Sequence, residues 1–204
     1  QEEHKRYVQD RLLEACSKLD NGGVEQQYQR AVSAVMELSI VPYAQDISDF
    51  CTRNVALQSR ILGIFTSALV NTVQGLEQPV VLEIIKGARV DYFGYKLNRN
   101  VHLKGDLGDH TAYMMESGTL TIDGSCKGVV GEFMGKDYGK EPVIVVRGTI
   151  RDAGAVRYGG TIRANRNLSD YYNFQNIYDL LRVIVDANVF QEVAAAIRQG
   201  GAIP

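Results

Sequence analysis

Between residues 80 and 148 the chain repeats itself, and that repetition limits its possible folds more than any other feature. Ile85-Lys86-Gly87, Val101-His102-Leu103-Lys104-Gly105, Leu120-Thr121-Ile122-Asp123-Gly124 and Ile144-Val145-Val146-Arg147-Gly148 each set an apolar residue two places before a glycine. Three of the four add another apolar residue four places before it. Such a unit is a short strand with one face buried, closed by a turn residue. The glycines are 18, 19 and 24 positions apart. A large side chain follows eight or nine residues later, at Tyr95, Tyr113, Phe133 and Val156, and in three repeats another glycine comes next, at Gly118, Gly139 or Gly160. A single unit of this kind cannot bury its apolar face alone, whereas stacking the next copy on it gives each strand a parallel neighbour and builds a continuous interior. The reading is a β-solenoid of about four coils with a loop protruding at residues 136–141 in the longer third coil. An antiparallel meander uses the same turn signals and remains the alternative. The six-residue rhythm of the left-handed hexapeptide type is not visible.

The flanks carry a different period. Val8, Leu12, Cys16 and Leu19 recur at spacings of three and four, as do Val24, Tyr28, Ala31, Val35 and Leu38, which predicts two amphipathic helices separated at Asn21-Gly22-Gly23. The second helix stops ahead of Pro42. Residues 44–75 are apolar over a wider arc, predicting a central helical region broken near Asn54. Beyond Asn167, Ile177, Leu180, Leu181, Ile184 and Val185 form another helical stripe, and helices laid over a solenoid's ends would cover its unpaired strand edges. The expected fold class is α+β, with a central β-solenoid flanked by an N-terminal helical bundle and C-terminal capping helices. The expected boundaries are 1–78 helical, 79–166 solenoid and 167–204 helical cap.

Composition narrows the function classes. Twenty-two basic against 24 acidic residues, in 204, argue against a strongly basic nucleic-acid binder. Three cysteines, Cys16, Cys51 and Cys126, lie far apart with no C-x-x-C pair, which points away from a disulfide framework or cysteine-bound zinc and towards a reducing compartment. No apolar stretch suits a membrane span and the first residues do not read as a signal peptide, so the expected location is the cytoplasm. His102, Asp106, Asp109 and His110 form the densest cluster of proton- or metal-handling types and are the candidate ligand-binding residues. Aspartates in such a turn also bond nearby backbone amides. No catalytic residue, metal site or cofactor is assigned. Gly105-Asp106-Leu107-Gly108 and Gly124-Ser125-Cys126-Lys127-Gly128 lead into strands rather than a helix N-terminus, which argues against phosphate cradles. Cys126 beside Lys127 is weighed as a lowered-pKa thiolate, and Arg147, Arg151, Arg157, Arg163 and Arg166 as a basic strip; the former lacks a base partner and the latter has acids nearby.

The run Lys104-Gly-Asp-Leu-Gly-Asp-His-Thr-Ala-Tyr-Met-Met-Glu-Ser-Gly118, answered by Gly124-Ser-Cys-Lys-Gly128 and Gly131-Glu-Phe-Met-Gly135, resembles the Gly-Asp-x-Gly-Asp pattern of one right-handed β-helix domain. That domain occurs at the C-terminus of the glutamate synthase large subunit and in one of the subunits of formylmethanofuran dehydrogenase. The resemblance spans about residues 80–165 and implies a right-handed β-helix acting as a rigid spacer and assembly surface, with chemistry in other domains. The function expected is therefore a non-catalytic scaffold that presents a flat surface to itself, as a homo-oligomer, or to a protein partner. The alternatives are an accessory subunit of an amidotransferase or formyl-dehydrogenase type enzyme and a small-ligand-binding protein.

Overall fold

The computed structural model describes residues 2–85, 88–136, 140–154 and 156–167. The helical cap expected at 167–204 lies outside the described residues from 168 onward, as do residues 137–139 of the loop expected at 136–141. Residues Gln1–Asn167 form one compact unit. It begins with α1 (Glu2–Ser17), α2 (Val24–Met36), α3 (Ala44–Arg53) and α4 (Ser59–Thr72), followed by β1 (Val80–Glu83), β2 (Val101–Lys104), β3 (Thr119–Asp123), β4 (Cys126–Val130), β5 (Val143–Ala153) and β6 (Thr161–Asn167). The broad apolar region after Ala44 is indeed two helices, parted just after Asn54.

Every pairing between these strands is parallel, which removes the meander. Along one wall the order is β1, β2, β3, β5, β6, so each coil adds one rung to the stack. Two inward ladders follow from the register. Val80, Val101, Leu120, Ile144 and Ile162 stand in one, and Leu82, Leu103, Ile122, Val146 and Ala164 in the other. The first four members of each are buried, and each fully buried aliphatic side chain contributes about 1.5–3 kcal/mol. A second wall repeats the pattern with Leu107 opposite Cys126 and Cys126 opposite Ile150, all buried. The strand β5 bends between the two walls, pairing with β3 through Val146 and with β4 from Ile150 onward. On the remaining side the coils close through turns containing the buried Leu97, Met115 and Met134.

The first repeat is offset from its sequence reading. Glu83 pairs with Lys104 and the Ile84 amide bonds to the Lys104 carbonyl, so Ile84 stands level with Gly105. With no earlier coil before it, this position has no need to lack a side chain.

The helices end the stack on its β1 side. Ser48 in α3 accepts the Glu83 amide at 3.0 Å, satisfying a donor on the otherwise unpaired edge of β1. Residues Leu62 to Val70 of α4 are all buried, and its Ser67 and Asn71 serve the first coil. Ser67 Oγ accepts the Gly94 and Tyr95 amides at 2.9 and 3.2 Å and donates to the Gly63 carbonyl. Asn71 donates to the Tyr95 and Lys96 carbonyls. Gly63 allows the close approach, since a Cβ there would lie 1.9 Å from the Asp91 carbonyl oxygen. The α2 helix is tied to the same coil through Glu25, which accepts from the Tyr95 hydroxyl at 2.7 Å and pairs with Lys96.

Candidate functional site

The motif Gly105-Asp106-Leu107-Gly108-Asp109 turns the chain at a corner, and its spacing has a mechanical reason. Asp91 of the first coil accepts the Asp109 amide at 2.7 Å, and a Cβ on Gly108 would fall 1.9 Å from that same Asp91 oxygen. One coil later Asp109 accepts the Val129 amide at 2.8 Å, and a Cβ on Gly128 would fall 1.9 Å from it. Asp106 likewise accepts the Ser125 amide next to Gly124, and Ser125 Oγ accepts the Thr149 amide next to Gly148. In each case an acceptor side chain lies over a glycine of the following coil and takes the amide one residue further on. The glycine supplies the space and the aspartate or serine supplies the bond.

The four candidate residues therefore do not converge on one point. Asp106 and Asp109 are engaged at corners. His102, on β2, is hydrogen-bonded to Asp123 at 2.7 Å, and Arg147 Nε lies 3.2 Å from the other Asp123 oxygen. His110 stands apart from that group: its ring stacks on Tyr92 with centroids 4.6 Å apart, and its Nδ1 lies 3.2 Å from Glu132. Tyr95, Tyr113 and Phe133, the large residues placed one per coil, do meet, with successive ring centroids 5.9 and 5.3 Å apart. Tyr92, His110, Tyr113 and Phe133 are all partly exposed, so this side presents an aromatic strip beside the Asp109 and Glu132 carboxylates. Among the described residues no group of three or more His, Cys, Asp or Glu side chains is arranged to hold a metal ion.

The titration of these groups follows their surroundings. Partial burial works to raise the Asp109 carboxyl, but the Val129 and His110 amides with the His110 and Arg151 side chains outweigh it and hold the group below its ordinary value. The His102 ring keeps Asp123 low, with Arg147 and Lys104 assisting. Cys126 is not a thiolate: it faces the interior, and burial pushes its thiol up to about 12 despite a Thr111 hydrogen bond. The late arginines do not make one strip either. Arg147 and Arg163 project outward from the first wall, whereas Arg151 belongs to the second and Arg157 follows β5.

Sequence reasoning missed Asp91, Glu132 and Tyr92. Asp91 had a signal, because Asp91 to Tyr95 repeats Asp109 to Tyr113 at a distance of 18. Glu132 had none, since its partner His110 is 22 residues away. No protein-family model, curated protein or solved structure matches the chain. No helix among the described residues is long and apolar enough to cross a membrane.

Proposed function

We propose that the chain is a non-catalytic scaffold or assembly protein whose stacked coils offer a rigid surface to a further copy of itself or to a protein partner. The observation that carries this reading is the use made of the motif: its aspartates hold coil to coil at the corners, so the most chemistry-like residues of the sequence do structural work. Glycine-glycine and glycine-carboxylate contacts of this closeness make a stiff stack. The resemblance to the spacer domain of glutamate synthase supports the same direction, as an accessory role beside a partner enzyme would. Three free and buried cysteines accord with a reducing, cytoplasmic setting. Light scattering over a wide concentration range, with capture of partners under the same buffer, tests it. A protein that stays monomeric and takes no partner removes the reading.

A second reading, binding of a small ligand on the aromatic strip, is favoured by the partly exposed Tyr92, His110 and Glu132 group. Replacing His110 and Glu132 by alanine, which leaves the corner bonds of Asp106 and Asp109 in place, tests it: ligand binding on the strip expects lost binding with the unfolding midpoint little changed, and binding that survives both substitutions removes this second reading.

A further inference from the structure

The corner that leads into the first wall ties coil to coil as the aspartate corner does, but with different side chains. Gln78 Oε1 accepts the Asn100 amide at 3.1 Å, and one coil later Asn100 Oδ1 accepts the Thr119 amide at 2.9 Å. A Cβ on Gly118 would fall 3.2 Å from that Asn100 oxygen and 2.5 Å from the Arg99 carbonyl oxygen. Asn100 thus lies over a glycine and takes the amide one residue further on, as Asp91 and Asp109 do over Gly108 and Gly128. Stacking asks only for an oxygen, and an aspartate supplies one. Here the oxygen comes from carboxamides, each of which also brings an NH2 group that the stack does not use. Because a backbone N–H has to meet the oxygen, the orientation of both carboxamides is settled, and the donor ends are the ones left over.

These groups border a cavity of about 460 Å³ between the loop that follows α4 and the turns that enter β2 and β3. Gln74, Gln78, Asn98, Arg99, Asn100 and Gly118 line it, and Arg99 is the one charged side chain among the described residues that do. Arg99 Nη1 donates to the Val73 carbonyl at 2.9 Å. That carbonyl ends α4, and the partial negative charge of a helix end offsets at most about half of the guanidinium charge. Among the described residues no carboxylate pairs with Arg99. An aspartate at position 100 would serve the Thr119 amide and set a negative charge on the same cavity. With carboxamides the cavity is positive and rich in donors.

We propose that this cavity binds a small oxyanion, the carboxylate or phosphate group of a small molecule. Arg99 supplies the charge, and the NH2 groups of Gln78 and Asn100 supply further hydrogen bonds to the ligand oxygens. The partly buried Leu76, which also lines the cavity, gives the carbon part of such a molecule an apolar surface. The volume falls within the range of small-molecule sites. One guanidinium and a few exposed donors make a weak site, with a Kd of about 1 mM, and added salt weakens it further by screening. The cavity is separate from the aromatic strip, and its ligand is independent of the scaffold reading.

The test is titration of the full chain with inorganic phosphate and with citrate, up to about 20 mM in about 0.05 M salt, followed through the backbone amide signals in NMR spectra. The signals of Gly75, Asn98 and Gly118 should move with both anions and stay in place with glucose or spermidine. Asn100→Asp and Gln78→Glu separate binding from stacking. Each keeps the oxygen that the next coil's amide needs, so the unfolding midpoint should hold. Each also replaces a donor by a negative charge, and so should weaken anion binding at least about tenfold. If either lowers the midpoint, Asn98→Asp brings the same charge at a residue whose bonds in the fold are made by its backbone. Wild type unmoved by either anion, movement of equal size with glucose, or binding that survives in all three variants overturns the proposal. None of these outcomes touches the scaffold reading, which is tested by assembly.

Discussion

Replacing Gly124 by alanine should injure the fold far more than a methyl group on a turn normally would. The new Cβ would lie 2.0 Å from the Gly105 carbonyl oxygen, 2.5 Å from its carbon and 2.9 Å from an Asp106 oxygen. Relief requires the second and third coils to part by about 1 Å or more, where rungs are held roughly 4.8 Å apart. The bonds that resist this are Gly105 N–H to the Asp123 carbonyl at 3.2 Å, Leu107 N–H to the Ser125 carbonyl at 2.9 Å and Ser125 N–H to Asp106 at 2.9 Å. Overpacking of this kind costs about 1–3 kcal/mol, and a weakened hydrogen bond adds about 1 kcal/mol. The sum is about 3 kcal/mol, equivalent to a melting point lower by about 6–12 °C for a unit of this length. Gly159→Ala is the control: its Cβ would meet only the Gly135 carbonyl oxygen, at 3.6 Å. It should be neutral or up to about 1 kcal/mol stabilising, by restricting the unfolded chain. Urea unfolding followed by circular dichroism reads both. If Gly124→Ala keeps the wild-type midpoint, or Gly159→Ala falls as far, the corner does not depend on the absence of a side chain and its close contacts do not hold the coils.

Two further perturbations probe other parts of the unit. Ser67→Ala leaves the Gly94 and Tyr95 amides without their acceptor beneath α4 and should cost about 1–3 kcal/mol; a midpoint within about 0.3 kcal/mol of wild type would show that the helix does not cap the first coil through this residue. All three thiols are buried, with Cys16 and Cys126 pushed up to about 12 and Cys51 to about 11. A colourless-to-coloured thiol reagent near pH 8 should therefore find almost none of them in the folded protein and three after denaturation. Rapid labelling of one native thiol would contradict the burial.

How much of this was legible depends on whether a residue's meaning lies in its own segment or in another. The rungs were legible because Val101-His102-Leu103-Lys104-Gly105 and Leu120-Thr121-Ile122-Asp123-Gly124 carry strand period and turn residue within five positions. The aromatic stack was legible for a related reason, since Tyr95, Tyr113 and Phe133 each follow their coil's glycine by eight or nine positions. The polar residues of α4 were not. In sequence, Ser67 and Asn71 only interrupt an apolar helix, and their purpose appears once the Gly94 and Tyr95 amides lie beside the one and the Tyr95 and Lys96 carbonyls beside the other. The corner was half legible: the aspartates were expected to bond nearby backbone amides, as the Asp109 bond to the His110 amide does. Their other bonds cross to the next coil, 19 or 20 residues on, and this explains why a glycine recurs there. The His110 group was illegible because Tyr92, His110 and Glu132 come from three successive coils and share no local pattern.

Acid tests whether these seams hold the unit together. Glu25 joins α2 to the first coil, Asp109 joins the second coil to the third, and Asp123 lies between His102 of the second and Arg147 of the fourth. All three carboxyls are held below their ordinary values. Burial works to raise Glu25, yet the Lys96, Gln29 and Tyr95 hydrogen bonds bring it to about 2. A carboxyl whose folded pKa is depressed contributes stability that is complete above its unfolded pKa and disappears as the pH falls through the folded one. For Glu25 the window runs from about pH 4.5 down towards about 2, and for Asp109 and Asp123 it lies below their ordinary value of 3.8. The urea midpoint should thus be level from neutrality to about pH 5 and fall steadily below it. Glu25→Gln should lower the neutral plateau a little and flatten the most acidic part of the decline, since that position no longer takes up a proton. Because Glu25 is half exposed, its share is the modest one of a surface ion pair, and most of the slope should survive the substitution. A midpoint that rises between pH 5 and pH 3 would mean that the charged forms of these carboxyls do not favour the folded stack, and would count against the coil-to-coil bonds at the corners.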